Sequence, residues 1–161
     1  MKKSQKIAVF PGSFDPITVG HYDLVRRALP IFDKIVVAVG VNSQKKTLFS
    51  LEQRLDWIAD VFRKYPSVEV AHFEKLTVHF CQKIGAEYLL RGLRNASDFD
   101  YEKTISQLNN DIGGVETVFL ISQPMFTHIS STIVRELIVG GGDASPFLPK
   151  EIKLPPELAG F

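Results

Sequence analysis

Four short stretches of this chain gather the residue types that hold phosphate. In PGSFDPITVGH, Gly12 and Gly20 let backbone approach a ligand closely, and Ser13 adds a hydroxyl beside Phe14. His21 stands in the first turn of a helix whose free N–H groups and positive dipole end favour an anion. The pattern is neither G-x-G-x-x-G nor G-x-x-x-x-G-K-[ST], so it supports neither a dinucleotide fingerprint nor a P-loop. In RGLRNASDFDYE, Arg91 and Arg94 flank Gly92 and Leu93, and each offers a forked set of donors suited to phosphate oxygens. Asp98 and Glu102 are four apart and Asn109 is a further seven on, which puts all three near one helix face. In FTHISSTIVRE, Ser130, Ser131 and Thr132 precede an apolar helical run; the residues alone fit a helix N-cap as well as a phosphate grip. His128 beside them reads as a surface residue. In NSQKKT, Lys45 and Lys46 are adjacent in a polar loop, where a solvated pair is the default.

The elements that must position these residues follow from periodicity. Runs rich in Val, Ile, Leu and Phe at Ile7–Phe10, Lys34–Val41, Val68–Phe73, Tyr88–Leu90 and Thr117–Ser122 each predict a strand buried on both faces. Between them lie helical patterns at Gly20–Phe32, Leu51–Tyr65, Thr77–Ile84 and Phe99–Ile112, the second entered through a Ser50/Gln53 capping box. A final pattern, Ser130–Val139, stops at three successive glycines. This alternation predicts an α/β fold: a doubly wound, mainly parallel five-stranded sheet with helices on both faces. Ligands in such sheets bind beyond the carboxyl ends of the strands, where the chain order switches direction, and all four stretches follow strands.

Composition narrows the class. At 161 residues, 45% hydrophobic and 23% charged, the chain fits one domain able to bury roughly 70% of its unfolded surface. From residue 146 a tail with four prolines is expected to wrap the surface or meet a neighbouring subunit. A formal net charge of +1 provides no global basic field for nucleic acid or anionic membrane. The one cysteine, Cys81, lies in an apolar helical run and reads as a buried, inert thiol. With no apolar leader, no run of about 18 apolar residues and no disulfide pair, the expected compartment is the cytoplasm. Four phosphate-holding loops, without a nucleophile beside a base or a metal-ligand cluster, suggest a reaction run by positioning two anions in line.

PGSFDPITVGH resembles the signature of the nucleotidylyltransferase superfamily, with Thr18-Val19-Gly20-His21 in the place of its H/T-x-G-H motif. R-G-L-R followed by D-F-x-Y-E, and the segment Ile129-Ser130-Ser131-Thr132, extend the resemblance from Ile7 to about Pro149, and to the bacterial phosphopantetheine adenylyltransferase family in particular. That resemblance implies transfer of AMP from ATP to 4′-phosphopantetheine, giving dephospho-coenzyme A and pyrophosphate. It implies His21, Lys45 and Arg91 as the acting residues. Ser13, Phe14, His21, Gly92, Leu93, Arg94 and Glu102 would form the ATP site with Phe126, Thr127, His128, Ile129, Ser130, Ser131 and Thr132. The acceptor would meet Ser13, Lys45, Thr77, Arg91 and Asn109, with Thr77 standing where the family often has Met. Mg²⁺ is expected on the phosphates with no dedicated protein carboxylate. Feedback by coenzyme A and a homohexamer are expectations from the same source. Two rivals are a nicotinate-mononucleotide adenylyltransferase, which usually carries His at position 18, and a module that senses ATP without turnover.

Overall fold

The computed structural model describes residues 4–159. Residues 1–3, and the positions of the proline-containing tail at 160–161, lie outside them. The elements alternate as expected: β1 (Ile7–Gly12), α1 (Val19–Ala28), β2 (Lys34–Gly40), α2 (Leu51–Phe62), β3 (Val68–Phe73), α3 (Thr77–Ile84), β4 (Tyr88–Leu93), α4 (Ala96–Gly113), β5 (Glu116–Ile121) and α5 (Ser131–Val139). All strand pairs are parallel, in the order β3-β2-β1-β4-β5. The direction therefore switches between β1 and β4.

Successive strand side chains point to opposite faces, and this parity divides the core. Ala8, Phe10, Ile35, Val37 and Leu90 pack on one face with Leu24 and Val25 of α1, Trp57 and Ile58 of α2, and Val134 and Ile138 of α5. Val9, Val36, Ala38 and Leu89 pack on the other with Val78 and Cys81 of α3. Cys81 is fully buried, and burial pushes its thiol up to about 11, so the inert reading fits. The tail wraps back onto the first face through Leu148 and Ile152, with Leu154 and Leu158 partly buried beside them.

Three expectations about the elements need correction. β3 and β5 are not buried on both faces: Glu69, His72, Glu116 and Ile121 are exposed, because these are the two edge strands of the sheet. β4 continues to Leu93, so Arg91 and Gly92 are strand residues and not the loop after it. α4 begins at Ala96, three residues before Phe99, because the Asn95 side chain accepts the Asp98 N–H and starts the helix early. Ser50 does cap α2 through Gln53 N–H at 3.2 Å. The reciprocal capping box is found at α1, between Thr18 and His21.

Candidate active site

The site begins where β1 and β4 part. They pair only at Ala8 with Tyr88 and Val9 with Leu89, after which β1 stays with β2 and a crevice opens on the β4 side. Arg91 spans this opening: its Nη1–H donates to the Pro11 carbonyl at 2.9 Å. Its other two nitrogens grip Glu102 of α4, Nε to Oε2 at 3.0 Å and Nη2 to Oε1 at 2.5 Å. Arg91 and Glu102 thus form a wall with a cavity on either side.

The first cavity, about 340 Å³, lies over the start of α1. Ser13, Phe14, Thr18, Gly20 and His21 form its floor, and Arg91, Gly92, Arg94, Asp98 and Glu102 one side. Phe126, Ile129, Ser130 and Ser131 close the other. The second cavity, about 410 Å³, lies over β2 and α3. Asn42, Lys45, Lys75, Thr77, Tyr101 and Asn109 are among its lining. Pro11, Gly12, Ser13, Arg91 and Glu102 line both.

The floor is built with care for His21. Phe14 has a left-handed backbone, φ 45°, which costs a non-glycine residue about 1–2 kcal/mol. This turns its ring inward, edge-on to the His21 imidazole with centroids 5.0 Å apart, while Phe10 lies 6.0 Å from the same imidazole. Residue 12 has little room for a side chain, since a Cβ there would stand 3.1 Å from the Phe14 ring. Burial, with the Arg91 and Arg94 guanidiniums adding to it, lowers the His21 pKa from 6.5 to about 4. The imidazole is therefore neutral at physiological pH, and its Nδ1 accepts the Thr18 backbone N–H at 3.0 Å. Nε2 is left to carry the proton.

The remaining expected residues fall as follows. Gly92 faces the α1 side, where a Cβ would meet Leu24 Cδ1 at 2.9 Å, so its lack of a side chain serves helix packing as well as access. Arg94 is held by Asp98, Nε to Oδ2 at 3.0 Å, and that bond keeps the Asp98 carboxyl below its ordinary range. Lys45 lines the second cavity and Lys46 does not. Leu93, Thr127, His128 and Thr132 line neither of the two cavities. The Thr127 hydroxyl donates to Pro124 O, His128 is exposed with its ring edge-on to Phe147, and Thr132 accepts from Arg135. Ser130 is the N-cap of α5, accepting the Ile133 N–H, and the Ser131 hydroxyl donates to Pro16 O at 2.7 Å.

Sequence reasoning missed Asp15, Arg54, Lys75 and Arg135. Lys75 carries φ 66° in the turn before α3, and no residue type in FEKLTV signals it. Both acidic groups of the first cavity are engaged by arginines, and among the described residues no cluster of three His, Cys, Asp or Glu side chains could hold a metal ion.

The cytidylyltransferase-like family pattern matches residues 9–137. A phosphopantetheine adenylyltransferase of Flavobacterium psychrophilum is 47% identical over 147 residues, covering 91% of this chain and 97% of that protein. The chain belongs to the phosphopantetheine adenylyltransferase family. Members from Cytophaga hutchinsonii and Porphyromonas gingivalis are each 48% identical, covering 91% and 93% of this chain and 99% and 97% of theirs. A solved bifunctional NMN adenylyltransferase/ADP ribose pyrophosphatase from Francisella tularensis shares the fold, with a TM-score of 0.66 at 14% identity, over 92% of this chain and 46% of that one.

Proposed function

We infer that this enzyme moves AMP from ATP to the phosphate of 4′-phosphopantetheine, releasing pyrophosphate and forming dephospho-coenzyme A. The observation that carries the assignment of substrates to places is the pair of cavities sharing one edge at Gly12, Ser13 and Arg91. ATP occupies the first cavity and the acceptor the second, so that the acceptor phosphate meets the α-phosphate over Ser13. The acceptor oxygen is already an anion and attacks directly; the P–O bond to pyrophosphate breaks as the new one forms, and no proton must be removed first.

His21 Nε2–H donates to the α-phosphate, where charge develops. Being neutral before substrate arrives, the imidazole acts as a hydrogen-bond donor and not as an acid that must first be charged. Lys45 holds the acceptor phosphate. Arg91, with three of its five N–H donors committed to Pro11 and Glu102, presents its positive charge to both ligands while fixing the wall between them. Arg94 reaches the triphosphate side together with the helix-start amides near Ser130 and Ser131. Thr77 and Asn109 take the pantetheine arm. Mg²⁺ arrives with the nucleotide as Mg·ATP. The chain acts as a single nucleotidylyltransferase domain in the cytoplasm, assembled as a homohexamer and subject to feedback by coenzyme A; no described helix is long and apolar enough to cross a membrane.

The test is pyrophosphate release from Mg·ATP with phosphopantetheine, with nicotinate mononucleotide, and with neither. Release with phosphopantetheine alone is expected. Lys45→Ala should then raise KM for phosphopantetheine with ATP binding in a calorimeter nearly unchanged, and Arg94→Ala should do the reverse. Release with nicotinate mononucleotide, or binding of ATP without release, would overturn the assignment.

A further inference from the structure

The corner after Ser13 holds a carboxylate that no step of the transfer uses. Asp15 is 3% exposed, and both of its oxygens are committed to backbone: Oδ2 accepts the Leu48 N–H and Oδ1 the Phe49 N–H, each at 2.9 Å. Leu48 and Phe49 end the loop that leaves β2 and carries Lys45. At the loop's other end Asn42 fixes the chain, its carbonyl accepting the Lys45 N–H and its side chain the Gln44 N–H, both at 3.0 Å. The backbone of Lys45 is therefore tied three residues before it and three residues after it.

Two arginines complete the corner. Arg54 of α2, 5% exposed, donates to the Ser13 carbonyl at 2.7 Å and to the Ser50 carbonyl at 3.3 Å, which joins the phosphate loop to the end of the lysine loop a second time. Arg135 of α5 donates to the Asp15 carbonyl at 2.8 Å and lies 3.9 Å from Oδ2. Beside it the Ser131 hydroxyl reaches Pro16 O. A buried carboxylate is costly unless its acceptor sites are filled, and here they are filled by the segments that carry the substrate-holding side chains.

We propose that Asp15 is a positioning residue for the transfer: by pinning Leu48 and Phe49 to the phosphate loop it holds Lys45 at the distance from Ser13 and His21 that in-line attack requires. The proposal rests on the substrate assignment above. Asn at this position offers one accepting oxygen to two amides, so Asp15→Asn loses one of the two anchors at this end of the loop while leaving the side chain's volume nearly unchanged. A misplacement of about 1 Å is enough to slow an aligned reaction roughly 100-fold.

The experiment is a cycle of Asp15→Asn and Lys45→Ala, alone and together, in the full chain. Asp15→Asn should lower kcat/KM for phosphopantetheine by roughly tenfold or more while the ATP dissociation constant moves less than about threefold; in the Lys45→Ala background its effect should shrink below about twofold, since residues acting as a unit are not additive. Losses that multiply, an equal loss for both substrates, or unchanged kinetics would each overturn the proposal. Should Asp15→Asn not fold, amide exchange in the wild-type protein decides: Leu48 and Phe49 should exchange roughly tenfold or more slowly than Lys46. Equal exchange at these three amides overturns it. Failure of the substrate assignment is distinguishable, because there the wild-type protein itself forms no dephospho-coenzyme A.

Discussion

Thr18 and His21 hold each other at the start of α1: the Thr18 N–H donates to His21 Nδ1 at 3.0 Å, and the His21 N–H donates to Thr18 Oγ1 at 3.4 Å. A backbone amide only donates, so this contact fixes the imidazole tautomer and aims Nε2–H at the first cavity. The Thr18 side chain contributes the other half, a helix cap. Thr18→Val keeps the backbone donor and should cost about 1 kcal/mol of stability while leaving kcat within a few-fold. His21→Ala should lower kcat by about 100- to 1000-fold with ATP binding in a calorimeter nearly intact. Equal kinetic losses in the two variants would show that the hydroxyl, and not the backbone, orients the ring.

The lowered His21 pKa has a definite sign in stability. Above pH 6.5 the imidazole is neutral in both folded and unfolded chains and contributes no pH dependence. As pH falls from 6.5 toward 4 the unfolded chain takes up a proton that the folded one refuses, so stability declines across that window and levels below it. Proton NMR of the free protein should find the His21 ring titrating near 4, and Arg94→Ala should move it upward by removing one opposing charge. A midpoint near 6.5 in the wild type would contradict the desolvated, neutral imidazole.

Ser130, Ser131 and Thr132 should separate under mutation. Ser130 caps α5, so Ser130→Ala should lower the melting temperature with or without ligand, through a cost of about 0.5–2 kcal/mol. Ser131 lines the first cavity and anchors to Pro16, so Ser131→Ala should lose part of the extra stabilisation given by Mg·ATP over AMP, which follows RT ln(1 + [L]/Kd). Thr132 lines neither substrate cavity, and Thr132→Ala should keep that ATP-induced shift in full. Loss of the shift in Thr132→Ala would place the triphosphate further along α5 than the cavity does.

α4 has no fully buried residue, and the contacts that attach it include the Arg91–Glu102 pair and the Phe99 ring against Phe119 of β5. Glu102→Ala leaves a half-buried guanidinium with its main partner gone and should cost about 1–3 kcal/mol. For a chain of this size that is a fall of roughly 2–12 °C in Tm. Glu102→Gln keeps one acceptor and should fall less. Unchanged melting in Glu102→Ala would mean that α4 is held by other surfaces.

The sequence by itself determined the alternating elements, the parallel sheet and the motif-bearing loops, because hydrophobic period, caps and glycines are local properties. PGSFDPITVGH, RGLR and ISST were legible for the same reason: each is contiguous. What tertiary structure decided is how they meet. That Arg91 sits within β4 and bridges to Pro11 depends on where β1 and β4 part, a pairing between residues about eighty positions distant that no local pattern encodes. The exposure of β3 and β5 follows from their places at the sheet edges, and a run of Val and Phe reads alike at an edge and in the centre. Asp15 and Arg135 are ordinary charged residues in sequence, and only folding brings the carboxylate to the Leu48 and Phe49 amides and the guanidinium to the Asp15 carbonyl. Lys45 and Lys46 look identical in the chain; only the folded turn after Asn42, tied by the Asn42 carbonyl to the Lys45 N–H and by its side chain to the Gln44 N–H, leaves Lys45 and not Lys46 at the cavity.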